Sequence, residues 1–535
     1  MKKNLFYSLL VMMLFTFFAG CRKSPTDDVQ LNLNTNFIKY TAQVQVYDAA
    51  ALTRIPQTAN PTIQITGRDS AYVYDITGSR KINVNEGSVS LAISPERTPT
   101  ASDPIRFNVI IKASGYLKVN VPVRIGENEF EQMLQANMTN IANPAAGISI
   151  ASGARQMTNN ALAAPASLNT PLTNGKQEWA KIEMEAGTRF YDEQGNQITG
   201  SSVNMSVGHF DTRTPTSLSS FPGGFSPDNV RMQDGTNQSL FFMSAGFGSI
   251  DMHVGGKEVK KFDRPIQITM SIDPTLVNPE TNQQLKAGDK IPIWSYSTET
   301  GQWSYERDGT VVNDNGTMQI TFPMDHLTWI NYDWYWRTCW SPITVNAPNL
   351  SGLYDLYIVD QYANGWTYYP TRTYYLYLTH NSTFWSWAMM NQTVKYRIYK
   401  PNTNNYYWWW WYWGNRGTLV GESNWVNACS GATINLSNLP RPKVYTLNIK
   451  GTCPDRPNYT VRPSFYLYKR KTGSYYWEYL GYVRNGTLQT SALEMGQNYE
   501  FGTWYGGQWI TINRTITQQD YNETVNLTAS VCRML

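Results

Sequence analysis

Histidine is scarce in this chain: four occur in 535 residues. His209, His253, His326 and His380 are too widely spaced for an HExxH or any other paired metal-ligand motif. A GxSxG elbow, an SxxK pair and a phosphate-cradling glycine-rich loop are also missing. Those absences remove the signatures of metallohydrolases, serine hydrolases and nucleotide enzymes, so no metal and no cofactor is expected. Charge is low as well. Only 16% of residues are charged and the formal net charge is +4, without a basic block, so neither a nucleic-acid footprint nor a polybasic membrane patch is expected. Helical periodicity is confined to one short stretch, "NEFEQMLQANM", Asn128–Met138. Of five cysteines, none falls between Cys21 and Cys339 and no CxxC spacing occurs, which argues against zinc and thioredoxin-type chemistry.

What is abundant is alternation. "AQVQVYD", "FNVIIKA", "IQITMSI", "YLYLTH" and "YTLNIKG" repeat apolar residues at a period of two, placing them on one face of a sheet. Turn signals such as "GRDS", "DEQGN", "ETGQ" and "NDNG" separate them. The fold class is therefore all-β, as tandem β-sandwich modules of Ig-like or transthyretin-like type, each needing roughly 100 residues.

The N-terminus reads as an export signal over residues 1–20, with Lys2 and Lys3 ahead of an apolar run that ends in Ala19-Gly20. Phe18-Ala19-Gly20-Cys21 resembles the lipobox of bacterial lipoproteins, which implies that Cys21 is acylated and anchors the chain. Residues 21–35 then form a polar tether. Lys23 with Asp27-Asp28 resembles the signal that sends Bacteroidetes lipoproteins to the cell surface. The implied location is the outer membrane, facing the surface or otherwise the periplasm. Loss of Lys2 and Lys3 with the signal lowers the formal charge from +4 to +2. In that oxidising setting Cys339, Cys429, Cys453 and Cys532 are expected in disulfides. Of the possible pairings, Cys339 with Cys429 and Cys453 with Cys532 is favoured, because each closes within one module.

Residues 36–137 carry "VQVYD", "VSLAI" and "FNVIIKASGYLKVNVPV", and resemble the carboxypeptidase regulatory-like sandwich, especially at Ala113-Ser114-Gly115-Tyr116. Residues 138–175, rich in Ala, Asn and Ser, read as a linker or a domain-crossing excursion. Residues 176–336 form a middle sandwich ending in "IWSYSTETGQW", a hairpin with Thr300-Gly301 at its turn, and a strand that delivers His326-Leu327-Thr328. The middle module resembles the sandwich of ankyrins and netrin receptors and the GAIN-type autoproteolytic domain. That resemblance implies that His326 is a base, Thr328 the nucleophile and the Leu327 carbonyl the acyl donor of a self-cleavage. The alternative is a histidine hydrogen-bonded to Asp325 or Asp333 on a terminal strand.

An internal repeat ends the chain. At an offset of 69, Tyr399-Lys400, Tyr406-Tyr407-Trp408 and Gly417-Thr418-Leu419 fall on Tyr468-Lys469, Tyr475-Tyr476-Trp477 and Gly486-Thr487-Leu488, and "ATINLS" from Ala432 is echoed by "ETVNLT" from Glu523. Two related β-modules follow, 337–440 and 441–535, expected as an aromatic-rich tip. The first contains eight consecutive aromatics, Tyr406 to Trp413. On a strand, Tyr406, Trp408, Trp410 and Tyr412 face one way, and a sandwich strand has only one inward face. One row then either binds a glycan or a surface protein or packs on a neighbouring module. Asp69-Ser70-Ala71, similar to an O-glycosylation acceptor pattern, reads first as a surface turn.

Together these features describe a lipid-anchored cell-surface or outer-membrane protein that binds or supports, and not an enzyme. The rival reading is a module that cuts itself at Leu327-Thr328. A third is a polysaccharide-degrading enzyme, whose carboxylate pair would need only proximity in space.

Overall fold

The computed structural model describes residues 31–34 and 38–526, except 52, 77, 86, 101, 128–129, 173–177, 228, 348–351, 363–366, 369–374, 379–380, 401–416, 437–442, 474–476 and 506–507. The protein is nearly all β, in many separate sheets. It divides into two compact units, residues 38–442 and residues 1–37 with 443–535.

In the larger unit, Thr41–Asp48 buries Ala42, Val44 and Val46 completely, as its alternation requires. It pairs antiparallel with Ser88–Ile93 and parallel with Glu131–Met138. A second sheet of Thr62–Thr66, Ile105–Lys112 and Val119–Ile125 closes the core. The expected turn at Ala113-Ser114-Gly115-Tyr116 is present, with Gly115 at φ 81° and the Tyr116 amide donating to the Ala113 carbonyl at 3.2 Å. Glu131–Met138 corrects the helical reading of that stretch. Its Ala136 and Met138 lie in the sandwich core, and that burial overrides the helix propensity of Glu, Gln, Met and Leu.

Residues 138–175 are not a linker. Ile148–Thr158 pairs with Ser202–Phe210 from Ile148↔Phe210 to Gln156↔Ser202, and Ala166–Asn169 pairs with Ala180–Met184. Met157, Leu162 and Ala166 enter the middle core. The period of two was hidden because Ala, Ser and Gly occupy many positions on these strands, leaving little hydrophobic contrast. The turn joining Ile148–Thr158 to Ala161–Leu162 holds Asn159 and Asn160 at φ 53° and 59°, the left-handed pair that a two-residue hairpin needs.

Two long strands organise the middle sandwich. Leu240–Val254 pairs with Ser202–Phe210 on one side and with Trp329–Asn346 on the other. The strand Trp329–Asn346 is 18 residues long and crosses the expected boundary at 336/337 without a break. Its first half also pairs with Lys290–Ser297, and its second half pairs with Asn381–Met389 and Ala432–Asn435. One strand therefore serves two sandwiches, and Phe241 and Met243 of the middle sheet pack in the same cluster as Ile343, Tyr396 and Ile434 of the next. Cys339, on that strand, is disulfide-bonded to Cys429.

Buried charge marks two places in the middle sandwich. Asp333 is fully buried beside the β-bulge between Ser244 and Phe247. Burial pushes its carboxyl well above the usual carboxylate range, against hydrogen bonds from Ser244, Asn331 and the Ala245 backbone. A carboxyl raised in this way favours the fold fully below its unfolded pKa and loses that contribution as pH rises. Asp333→Asn is expected to stabilise the protein by about 1–2 kcal/mol at neutral pH. Below about pH 4 the difference should vanish. Urea unfolding across pH reads this directly, and a variant no more stable than wild type at pH 7 contradicts it. Elsewhere, Arg213 bridges Glu178 at 3.0 Å and Asp273 at 3.1 Å, two carboxylates only 5% and 3% exposed.

The smaller unit pairs Tyr445–Cys453 with Arg456–Arg462, Thr487–Thr490 and Asp520–Asn526. Opposite lie Glu478–Val483, Phe465–Lys471, Asn498–Tyr505 and Gln508–Thr515. The repeat has structural counterparts. A register shift falls between Ile398 and Tyr399 in one copy and between Leu467 and Tyr468 in the other, 69 residues on. Ala432–Asn435 and Glu523–Asn526 both run parallel to the opening strand of their sandwich. One correction follows. Tyr399 faces Leu419 while Tyr468 faces Tyr479, so Leu419-Val420-Gly421 corresponds in space to Tyr479-Leu480-Gly481 and not to the gapless match at Leu488. The tether is corrected too: Leu31–Asn34 is a strand, paired parallel with Tyr459–Arg462.

Candidate functional site

The tripeptide His326-Leu327-Thr328 lies at a corner where the chain changes sheets. Thr317–His326 pairs with Lys261–Ser271 in one sheet of the middle sandwich, and Trp329–Asn346 begins in the other. The hairpin of Lys290–Ser297 and Gln302–Thr310 lies alongside, with Gly301 at φ 67° in its turn. Its Trp294, Tyr296 and Trp303 are fully buried among Phe221, Phe242 and Phe247, and the Trp303 indole donates to the Pro222 carbonyl at 3.1 Å.

The bonding of the three residues is specific. Leu327 donates its amide to the Lys260 carbonyl at 2.9 Å. Thr328 Oγ donates to the Tyr296 carbonyl. His326 places Nδ1 2.9 Å from Asp325 and Nε2 3.4 Å from Glu306. The Glu306 bond, joined by that to Asp325, raises the imidazole pKa against burial. Glu306 is itself held below its usual range, because His326 and Ser295, donating at 2.6 Å, outweigh its burial. In this arrangement His326 favours the imidazolium form and lies between two carboxylates, while the threonine hydroxyl is committed to a carbonyl. A general base needs a free nitrogen lone pair directed at the hydroxyl. The expected result on denaturing electrophoresis is therefore one band for the chain, unchanged by Thr328→Ala. Two wild-type fragments meeting at Leu327-Thr328 would refute it.

Beside the tripeptide is a small solvent-open cleft of about 60 Å³, walled by Leu117, Lys118, Glu258, Lys260, Glu299 and Thr328 among others. Lys118 reaches Glu258 at 2.8 Å and Glu299 at 3.6 Å, and Lys260 reaches the same two carboxylates at 2.8 and 2.5 Å. Burial would raise Glu258, yet the two lysines hold it at about 2. The same corner docks the first sandwich on the middle one. Asn108 donates to the Thr300 carbonyl at 2.8 Å, Asn120 to Thr298 at 2.6 Å and Thr66 to Glu299 at 2.7 Å. The hairpin tip thus plugs into the first sandwich, and the four-charge cluster closes the joint. Nothing local marks Asn108, Asn120 and Lys118, whose partners lie some 140 to 192 residues away in the sequence.

No protein-family model and no curated protein matches the chain. Among solved structures, the Bacillus anthracis TIE protein aligns over 72% of this chain and 75% of its own at 8% identity, with a TM-score of 0.13. The major pilin SpaD of Corynebacterium diphtheriae aligns over 91% and 97% at 6% identity, TM-score 0.13. The gamma-CGTase of alkalophilic Bacillus clarkii aligns over 55% of this chain and 42% of its own at 12% identity, TM-score 0.16. Superpositions of that quality carry no argument about role.

The remaining expected site residues divide clearly. Tyr406, Trp408, Trp410 and Tyr412 lie outside the described residues, as do Cys21 and Cys532. Cys453 is disulfide-bonded. Trp477, which the repeat aligns with Trp408, packs edge-on to Trp509 at 5.1 Å, with the Arg470 guanidinium 4.6 Å from its ring centroid. Asp69 is buried and paired with Arg97 at 3.0 Å and Arg68 at 2.8 Å, so the Asp69-Ser70-Ala71 turn is held by its own module.

Proposed function

We propose that this is a lipid-anchored surface protein of the bacterial outer membrane with a structural and adhesive role, in which sandwiches joined without flexible linkers within residues 38–442 carry an aromatic ligand-binding segment. The observation that carries the reading is the strand Trp329–Asn346, shared by two sandwiches, which removes the flexible linker usual between independent domains. The hairpin plug between the first and middle sandwiches acts in the same direction. A chain that fixes the geometry of successive modules is suited to display. The lipobox-like Phe18-Ala19-Gly20-Cys21 supplies the anchor.

The ligand surface is assigned to Tyr406, Trp408, Trp410 and Tyr412, with a glycan or a surface protein as partner, since flat rigid rings bind at low entropic cost. A glycan array comparing wild type with Trp408→Ala/Trp410→Ala tests it. The variant should lose roughly tenfold or more in apparent affinity for any glycan bound, because two of the large flat contact surfaces are removed. Equal binding by both proteins removes that segment from the ligand site. Self-cleavage at Leu327-Thr328 is the second reading. It would require His326 and Thr328 to leave the carboxylates and the carbonyl they hold here, and both pieces would then stay joined by strand pairing at the corner between the two sheets.

A further inference from the structure

The tether does not end where the first sandwich begins. Leu31–Asn34 lies along the edge of the smaller unit's sheet, with Leu31 beside Tyr459 and Asn34 beside Arg462. Nine residues lie between Cys21 and Leu31, and the ten steps of a fully extended chain span at most roughly 35 Å. Whatever holds Cys21 also holds Leu31, and with it the sheet that Leu31–Asn34 edges, within that distance.

Charge is distributed to match. Residues 443–535 contain 10 of the 44 basic and 6 of the 40 acidic side chains, a formal +4. The other 34 and 34 cancel, and loss of Lys2 and Lys3 leaves residues 21–442 at −2. Within the unit, four acids are matched by ion pairs: Glu478 with Lys469, Glu494 with Lys471, Glu500 with Arg470 and Glu523 with Arg514. The other charged side chains of residues 443–535 are Lys443, Lys450, Arg456, Arg462, Arg484 and Arg533 with Asp455 and Asp520, a net +4 whatever their pairing. Lys450 and Arg462 are both exposed, and the register Gly451↔Val461 sets them opposite each other on one face of the sheet that receives the tether strand, a face that also carries exposed Asp520 further along, opposite Thr446.

We propose that residues 443–526 form the membrane-proximal module of the anchored protein, clamped to the tether by Leu31–Asn34 and laid with its Lys450–Arg462 face on the phosphate headgroups of anionic lipid. This rests on the lipid-anchor reading of Cys21 and reverses the expectation that the last module stands at a distant tip. Each basic residue near an anionic bilayer adds modestly to binding, so several together retain the module at the surface without inserting it.

Three measurements test the proposal. In the soluble chain from residue 21 with Cys21→Ser, the pair Asn32→Cys and Thr460→Cys occupies directly facing positions. It should oxidise to an intramolecular cross-link, identified by peptide mass mapping of the monomer. Absence of that cross-link, or cross-links between chains only, overturns the clamp. The same soluble chain, without the engineered pair, is then floated with phosphatidylcholine vesicles with and without phosphatidylglycerol. It should partition onto the anionic vesicles alone, and Lys450→Glu/Arg462→Glu should lower that partition about tenfold or more. Equal partition by both chains overturns the lipid-facing surface. Lastly, the N-terminal peptide of the full precursor expressed in a lipoprotein-processing host is weighed. An unmodified Cys21 there defeats the anchor reading and the module's placement with it, whereas a lipidated Cys21 without the engineered cross-link defeats the placement alone.

Discussion

Replacing Cys339 and Cys429 together with serine is expected to destabilise the third sandwich by about 4.6 kcal/mol, the size that loop-closure entropy assigns to a cross-link of this span. The bond joins positions 90 residues apart, nearly the whole module, so it removes much of the freedom of the unfolded chain. The loss should be local. The first half of Trp329–Asn346 stays locked between Leu240–Val254 and Lys290–Ser297, while Ile343, Val345, Ile398 and Ile434 depend on the module that loses its staple. Urea unfolding of the variant should show an early transition assigned by proteolysis to residues 338–436, followed by the transition of the rest. Substitution is preferable to reduction, because Cys453 is also disulfide-bonded and a reductant would act on both units. A variant with the wild-type midpoint and a single transition would contradict the expectation.

Arg213→Met should be the next most damaging change, at about 3 kcal/mol near neutral pH. Glu178 and Asp273 are almost wholly buried, Asp211 lies beside them, and Arg213 is the cation that meets both of the first two. Burial pushes the Glu178 carboxyl up, the Arg213 charge pulls it down, and Asp211 and Asp273 push it further up. Removing the guanidinium leaves uncompensated carboxylates in the core. The figure is set at the low end for a buried pair because Arg213 itself is half exposed and partly screened. Its sign with pH follows. Glu178 is raised, so the fold keeps its full contribution below the unfolded carboxylate range and loses it as pH rises. The gap between Arg213→Met and wild type should therefore shrink on acidification. Glu178→Gln added to Arg213→Met should recover part of the loss, giving a coupling that a double-mutant cycle isolates. Simple additivity of the two changes would show that the pair does not act as a unit.

Much of the fold was legible where side chains contrast. Ala42, Val44 and Val46 alternate with polar neighbours, and the "STETG" turn sits where its hairpin required. The repeat was legible because Tyr399-Lys400 and Tyr468-Lys469 lie on equivalent strands. Ile148–Thr158 was hidden by small residues that carry no period, and Glu131–Met138 by residues that favour helix until a sheet buries them. The site was legible only as three consecutive residues. Glu306 and Tyr296 decide what His326 and Thr328 can do, and they reach the corner from neighbouring strands. Nothing local in "DHLTW" announces either partner.

The shared strand has a mechanical side. Tension applied along Trp329–Asn346 runs parallel to the strand and loads the hydrogen bonds of its flanking ladders in shear, several at a time. A peeling geometry would load them one after another. Resistance to such a pull is governed by the unfolding barrier and not by equilibrium stability. With no slack segment at residues 336–337 to extend first, the two sandwiches must take up force together.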